Sequence, residues 1–229
     1  MNNVRTVSDT KRTFYSLHTR PVNTIYRRVV EELMVEMHLL SVNVDFTYSS
    51  IYALGVVTAF DRFMQGYQPE GDKASIFNAL CQAVEANYEH YRHDAEKLLN
   101  IAKSLPVQDL VAWLSQTNRL YHDEQLQAEL DAIANNPKFK YSRLFAIGIF
   151  SLLEASDSEI VKDEKRRTEA LNSIAKGLKI SDDKLNKDLE LYRSNLDKMS
   201  QAMAVMSDML QADRKKREER AKSKPQQIS

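Results

Sequence analysis

The sequence predicts an all-α protein: a single helical domain around a buried central helix, continued by a long C-terminal helix with a heptad pattern. Three observations carry that prediction. Apolar residues recur at three- and four-residue spacing along most of the chain, and no period-two run bounded by turns occurs, so no sheet is expected. Five Gly and five Pro in 229 residues leave few helix breakers. The stretch 48–67 is apolar on nearly every helical face, which suits a helix enclosed by others.

The elements follow in order. Residues 1–20 lack helical periodicity and hold Arg5, Lys11, Arg12 and Arg20 against one anion, Asp9; the expectation is an extended basic arm. Within it, Phe14, Tyr15 and Leu17 should lie against the body. Pro21 suits a first helical turn, after which Ile25, Tyr26, Val29, Val30, Leu33, Met37 and Leu40 mark one face of a helix. Its other face offers Arg27–Glu31, Arg28–Glu32 and Arg28–Glu31 at pairing distance. Ser49 or Ser50 can cap the central helix, and Gly66 can end it. Gly55 costs about 1 kcal/mol against Ala inside a helix, which is tolerable where another backbone passes close. Asp72 is expected to cap the next helix, with a break near Asn87 before Tyr91, Ala95, Leu98 and Ala102 continue the stripe.

Ser104 and Pro106 punctuate next, and 107–116 reads as a short helix carrying Trp113. Leu126, Leu130 and Ile133 mark another, ended by Asn135-Asn136-Pro137. Residues 141–155 form a second apolar helix, expected beside the first. Ser156 with Glu159 spells a capping box for a helix through Leu171, Ile174 and Ala175, stopped at Gly177. These elements make a helical body over 1–180.

Ser181 then caps a different kind of helix, expected over 181–222, with Asp182 and Asp183 in its first turn where the helix dipole favours negative charge. Leu185, Leu189, Tyr192, Leu196, Met199, Met203, Met206 and Leu210 follow at spacings of 4, 3, 4, 3, 4, 3 and 4. That is a coiled-coil seam. Left in water, these eight side chains would forgo more than ~10 kcal/mol, so the seam must meet either the protein's own body or another chain. The Met half is pliable and polarizable, a surface that adapts to partners. Beyond it, 214–224 holds seven cations and two anions, suited to an acidic partner or anionic headgroups. Met199, Met203, Met206, Arg214, Lys215 and Arg217 are therefore the candidate partner-binding residues. Residues 223–229 read as a disordered tail.

Composition narrows the functions. Lys plus Arg equals Asp plus Glu at 32 each, and no basic face recurs through the body, so nucleic acid is not an expected partner. The single Cys81 excludes an internal disulfide and any Cys-based zinc site. Met1 runs straight into polar sequence, so no signal or transit peptide is expected. Asp61-Arg62 interrupts the central apolar run before it could span a bilayer. No residue three before a His is Glu, which removes the di-iron bundle motif. Glu85, Glu89, His90, His93 and Asp94 are the nearest thing to a metal site. Phosphate loops, dinucleotide fingerprints and nucleophile motifs are absent from the sequence, so no catalytic residue or cofactor is assigned and no small-molecule substrate is expected.

With the helices placed, several strings carry a resemblance. They are Thr6-Val7-Ser8-Asp9-Thr10-Lys11, His18-Thr19-Arg20-Pro21, Tyr26-Arg27-Arg28-Val29-Val30-Glu31-Glu32-Leu33, Glu36-Met37-His38-Leu39-Leu40 and Gly55-Val56-Val57-Thr58-Ala59-Phe60-Asp61-Arg62-Phe63-Met64-Gln65-Gly66-Tyr67. They resemble the thylakoid formation protein family, a photosystem II biogenesis factor of cyanobacteria and plastids. The likeness runs from about Arg5 to at least Leu210, and without a transit peptide it is to the cyanobacterial form. It implies a helical, non-enzymatic accessory factor in membrane biogenesis and photosystem II repair. It also implies a peripheral location on the cytoplasmic face of thylakoids, with FtsH protease complexes as the partner. Two alternatives stay open: a thylakoid lipid-surface binder, and a metal-binding protein using the Glu85 to Asp94 cluster.

Overall fold

A computed structural model describes residues 5–120 and 123–222, and among these every regular element is a helix. In chain order they are α1 (Val7–Leu17), α2 (Thr24–Ser41), α3 (Ser50–Phe63), α4 (Asp72–Ala83), α5 (Tyr88–Ser104) and α6 (Val107–Leu114). Then come α7 (Glu124–Asn135), α8 (Arg143–Ser156), α9 (Ser158–Lys162), α10 (Glu164–Leu178) and α11 (Asp182–Lys222). The chain divides into two compact units, Met1–Leu191 and Tyr192–Ser229, so the opening of α11 belongs to the first. The tail expected over 223–229 lies outside the described residues.

The centre of the first unit is a packed trio, α3, α5 and α8. Both apolar helices open on a serine cap: the Ser49 hydroxyl accepts from the Tyr52 N–H at 3.2 Å, and Ser142 from Phe145 at 3.1 Å. From there they run parallel. Gly55 lies against Leu144 and Gly148, the Ser151 hydroxyl donates to Thr58 at 3.1 Å, and Arg62 pairs with Glu154. The glycines make this possible, because a Cβ at Gly55 would fall 2.6 Å from the Leu144 carbonyl carbon. Close approach brings Leu54, Val56 and Phe60 of α3, and Phe145, Ile149, Leu152 and Leu153 of α8, to 4% exposure or less. Each such side chain contributes ~1.5–3 kcal/mol of transfer free energy. Residues 48–67 are thus the buried core element that the sequence predicts.

Several boundaries differ from the sequence reading, each for a local reason. Of the arm expected over 1–20, the described residues 5–20 are not extended. Thr6 and Asp9 form a reciprocal capping box, with Thr6 Oγ1 accepting from the Asp9 N–H and the Asp9 carboxylate from the Thr6 N–H, and α1 follows. Of its apolar residues Phe14 is buried, while Tyr15 and Leu17 are exposed. Pro21 stands ahead of α2 rather than in its first turn, since Asn23 is the N-cap. Asp72 does not cap α4 either: Gly71 does, and Asp72 sits in the first turn, 4% exposed and paired with Arg20. Of the pairs expected on α2, Arg28–Glu32 forms at 2.9 Å, but Glu31 turns to Lys11 and to the Tyr15 hydroxyl, each at 2.7 Å.

The helix expected from Ser156 onward is two helices. Ser156 closes α8 and donates to the Leu105 carbonyl, while Asp157 caps α9 and Asp163 caps α10. Gly177 is not the stop: it lies inside α10, where a Cβ would meet the Ser115 backbone, and Lys179 ends the helix at φ 56°. Next, α11 starts as expected, with Ser181 Oγ accepting from the Lys184 N–H at 3.2 Å. Leu185 and Leu189 lie in the core of the first unit at 0% and 2% exposure. The Tyr141 hydroxyl donates to Asp188 at 2.9 Å and Asn186 reaches Asn172 at 3.0 Å, so polar contacts flank that seam.

Candidate partner-binding surface

Within the second unit the described chain, as far as Lys222, is the continuation of α11. At 3.6 residues per turn, Met199, Met203 and Met206 share one face. Met199 and Met203 are half-buried and Met206 is 45% exposed. Beside them Val205 is 53% and Met209 65% exposed, and Ala202 fills the gap between. Scattered exposed apolar residues need no explanation, but a contiguous stripe of them is a candidate interaction surface.

Among the described side chains charge is segregated about this stripe, while Asp213 continues it in backbone register. Advancing ~100° per residue, Lys198 and Lys216 fall between Val205 and Met209 on one side of it, and Arg214 beside Met203 on the other. Asp197, Asp208 and Glu219, all exposed, fall on the opposite face. Lys215 is exposed on that acidic back, so the structure does not bring it onto the stripe with Arg214. Arg217 continues the line of Met199, Met203 and Met206 in backbone register, and its side chain lies outside the described residues. The face thus combines polarizable apolar groups with bordering cations.

Sequence reasoning placed Met209 in the Met half, as its fourth Met beside the small Ala202 and Ala204, but missed Val205. Val205 is off the seam, so a strict heptad rule discards it. The signal that could have found it is the run of small or uncharged flanking residues, Ser200, Ala202, Ala204 and Ser207, which widens the apolar stripe.

The cluster read as a possible metal site is taken apart by its neighbours. Glu85 is exposed and pairs with Arg5 at 3.1 Å. Asp94 accepts the Tyr48 hydroxyl at 2.7 Å and stands 3.4 Å from His90, whose ring stacks on Tyr48 at 5.1 Å. Burial, then the hydrogen bond to Asp94, push the Tyr48 phenol far up. Among the described residues no three His, Cys, Asp or Glu side chains converge on a metal position, so that alternative is corrected. Burial also raises the Cys81 thiol to about 12, which makes it an inert core residue. No helix among the described residues is long and apolar enough to cross a membrane.

A second polar face lies on the first unit, along α2. Glu31 is held below the usual carboxylate range by hydrogen bonds from Lys11 and Tyr15, and the Tyr15 phenol is raised to about 12 by burial and by Glu31. Glu32 pairs with Arg28, and Glu36 with Arg143 at 2.6 Å. Its carboxylates are committed to intramolecular partners. It is a weaker contact surface than the α11 stripe on that account.

The chain matches the family model described as thylakoid formation protein over residues 6–221. It is 76% identical to Protein Thf1 of Nostoc punctiforme over 220 residues, 96% of this chain and 94% of that one. With Protein Thf1 of Crocosphaera subtropica the identity is 57% over 229 residues, 100% of this chain and 93% of the relative. A solved structure of Psb29 superposes with a TM-score of 0.80 at 45% identity, covering 93% of this chain and 98% of that one.

Proposed function

Because the chain belongs to the thylakoid formation protein family, we propose that it is a non-enzymatic helical accessory factor. It acts in thylakoid membrane biogenesis and photosystem II repair by binding and stabilising FtsH protease complexes, peripherally on the cytoplasmic side of the membrane. The observation that supports this reading is the exposed Val205, Met206 and Met209 stripe on α11, bordered by cations and backed by acids. Flexible Met surfaces adapt to partner surfaces, and bordering charge steers encounter more than it adds affinity. The polar clusters of the helical body are committed to internal bonds, which suits an adaptor better than a catalyst. Affinity isolation of the tagged chain from solubilised thylakoids tests the proposal. FtsH should co-isolate, and its absence from wild-type eluates would refute the partner.

A second reading has its own observation. A helix whose apolar face is bordered by Lys198, Lys216 and Arg214, with Asp197 and Asp208 opposite, also suits an anionic lipid surface. Flotation with liposomes at two salt concentrations separates the two. Lipid binding by the purified protein that weakens with salt favours this reading, and FtsH retrieval after lipid extraction favours the first.

A further inference from the structure

The first helix is held to the body by an unusual set of groups. Only Thr10 and Phe14 of α1 are fully buried, both at 0% exposure. Thr10 Oγ1 is 2.8 Å from Nδ1 of His38 on α2, and His38 is 3% exposed. At the other end His18, the C-cap of α1, is 2% exposed and its Nδ1 is 3.0 Å from Ser75 Oγ on α4. The Nε2 of His18 is buried without a hydrogen-bond partner. Each end of α1 therefore docks through one buried imidazole.

We propose that α1 is an acid-released clasp: protonation of His18 and His38 undocks it from α2 and α4 and uncovers the faces beneath it. In a charged imidazole both ring nitrogens carry protons, and Nε2 of His18 has no acceptor for one. The charged groups near His18 are Asp72 and Arg20, and Asp72 is already paired with Arg20. Those near His38 are Arg5 and Asp9. Arg5 repels a cation there, and the Asp9 carboxylate is taken by the Thr6 N–H at 3.0 Å and the Thr6 hydroxyl at 2.7 Å. Among the described residues, no uncommitted carboxylate faces either ring to receive the new charge.

Burial accordingly lowers the pKa of both rings from the ordinary histidine value. The sign follows from linkage. A group whose docked pKa is depressed contributes its full stability above the undocked value of ~6.5, and loses it as pH falls through that value toward the docked one. The ion pairs Lys11–Glu31, Arg20–Asp72 and Arg5–Glu85 also hold this region. The two buried imidazoles are the groups through which mild acid weakens α1 docking.

Hydrogen exchange of the full-length protein at about pH 7.5 and about pH 5.5, corrected for intrinsic exchange rates, tests this. Peptides covering α1 should lose protection on the order of tenfold or more at the lower pH, while α3 and α8 keep theirs. The double variant His18→Asn with His38→Asn places a neutral group near each Nδ1 position and should protect α1 equally at both pH values. Unchanged α1 protection in the wild type overturns the proposal, as does a pH-dependent loss that persists in the double variant. Should the double variant be undocked at both pH values, wild-type imidazole NMR titration decides. The two rings must titrate together with the loss of α1 protection, and titration beneath a still protected α1 overturns it.

Discussion

Gly55 and Gly148 face each other across the parallel pair α3 and α8, each where the other helix's backbone leaves no room for a side chain. A Cβ on Gly55 would stand 3.0 Å from the Gly148 nitrogen, and one on Gly148 2.9 Å from the Ile51 carbonyl carbon. The obstacles are backbone atoms, which cannot rotate away. Gly55→Ala gains about 1 kcal/mol of helix propensity but forces the core helices apart, at ~1–3 kcal/mol or more. We expect net destabilisation in urea unfolding for Gly55→Ala and Gly148→Ala alike. Gly71→Ala, where nothing lies within 4 Å, should stay within about 0.5 kcal/mol of wild type. Equal effects at all three positions would contradict the close crossing.

Leu189 and Met209 stand on one helix and should behave oppositely. Leu189 is 2% exposed in the core of the first unit and Met209 is 65% exposed. Leu189→Ala should therefore cost ~2–5 kcal/mol of monomer stability, while Met209→Ala stays near wild type. An unchanged stability for Leu189→Ala combined with an altered oligomeric mass would make that half of the seam intermolecular.

Glu129 gives a pH-dependence of its own. Its carboxylate accepts from the Ser50 N–H at 2.7 Å and from the Ser50 hydroxyl at 2.9 Å, at the start of α3. Burial is the larger influence and raises its pKa despite those bonds. The fold therefore binds the proton more tightly than the unfolded chain does. Wild-type stability should fall as pH rises from the ordinary carboxylate value through the raised one. Glu129→Gln should flatten that part of the stability profile, measured by thermal unfolding between about pH 4 and pH 7. A slope that persists in the variant would assign it to another carboxylate.

What was legible in the sequence follows from what holds each element. The apolar helices α3 and α8 announce themselves because burial on every face leaves no polar stripe, and the α2 and α5 stripes keep a clear period. The first helix was read as extended because polar and titratable groups hold it, and only Phe14 is a buried apolar anchor. Its one local signal was the Thr6 and Asp9 capping box, one methylene shorter than the Glu form. Gly177 was read as a stop because glycine ends helices more often than it admits a crossing loop, and only the position of Ser115 reveals the difference. On the candidate surface, the seam positions were legible from spacing. Met209 was legible as the fourth Met of that half, whereas Val205 and the placement of Lys215 on the back depend on how far the stripe widens beyond the seam.

The functional prediction separates fold from partner on α11. Met206 and Met209 are exposed, so replacing both by Gln keeps side-chain length and roughly level helix propensity while removing apolar contact area. Helical content by circular dichroism and the urea midpoint should stay at wild type. At ~1.5–3 kcal/mol for each Met fully buried by a partner, the pair could weaken FtsH association by two to four orders of magnitude. Adding Met199→Gln and Met203→Gln should deepen the loss, with some cost to stability because both are half-buried. Neutralising Arg214, Lys215 and Arg217 should act differently, slowing encounter and flattening its salt dependence while packing survives. Lys215 alone provides a control within that set, since it stands on the acidic back of the helix. Lys215→Gln should change retrieval less than Arg214→Gln does. If the Met206 and Met209 variant folds normally and retrieves FtsH as well as wild type, the contact is not this stripe. The α2 face bearing Arg27, Arg28, Glu31 and Glu32 would then be the surface to vary next.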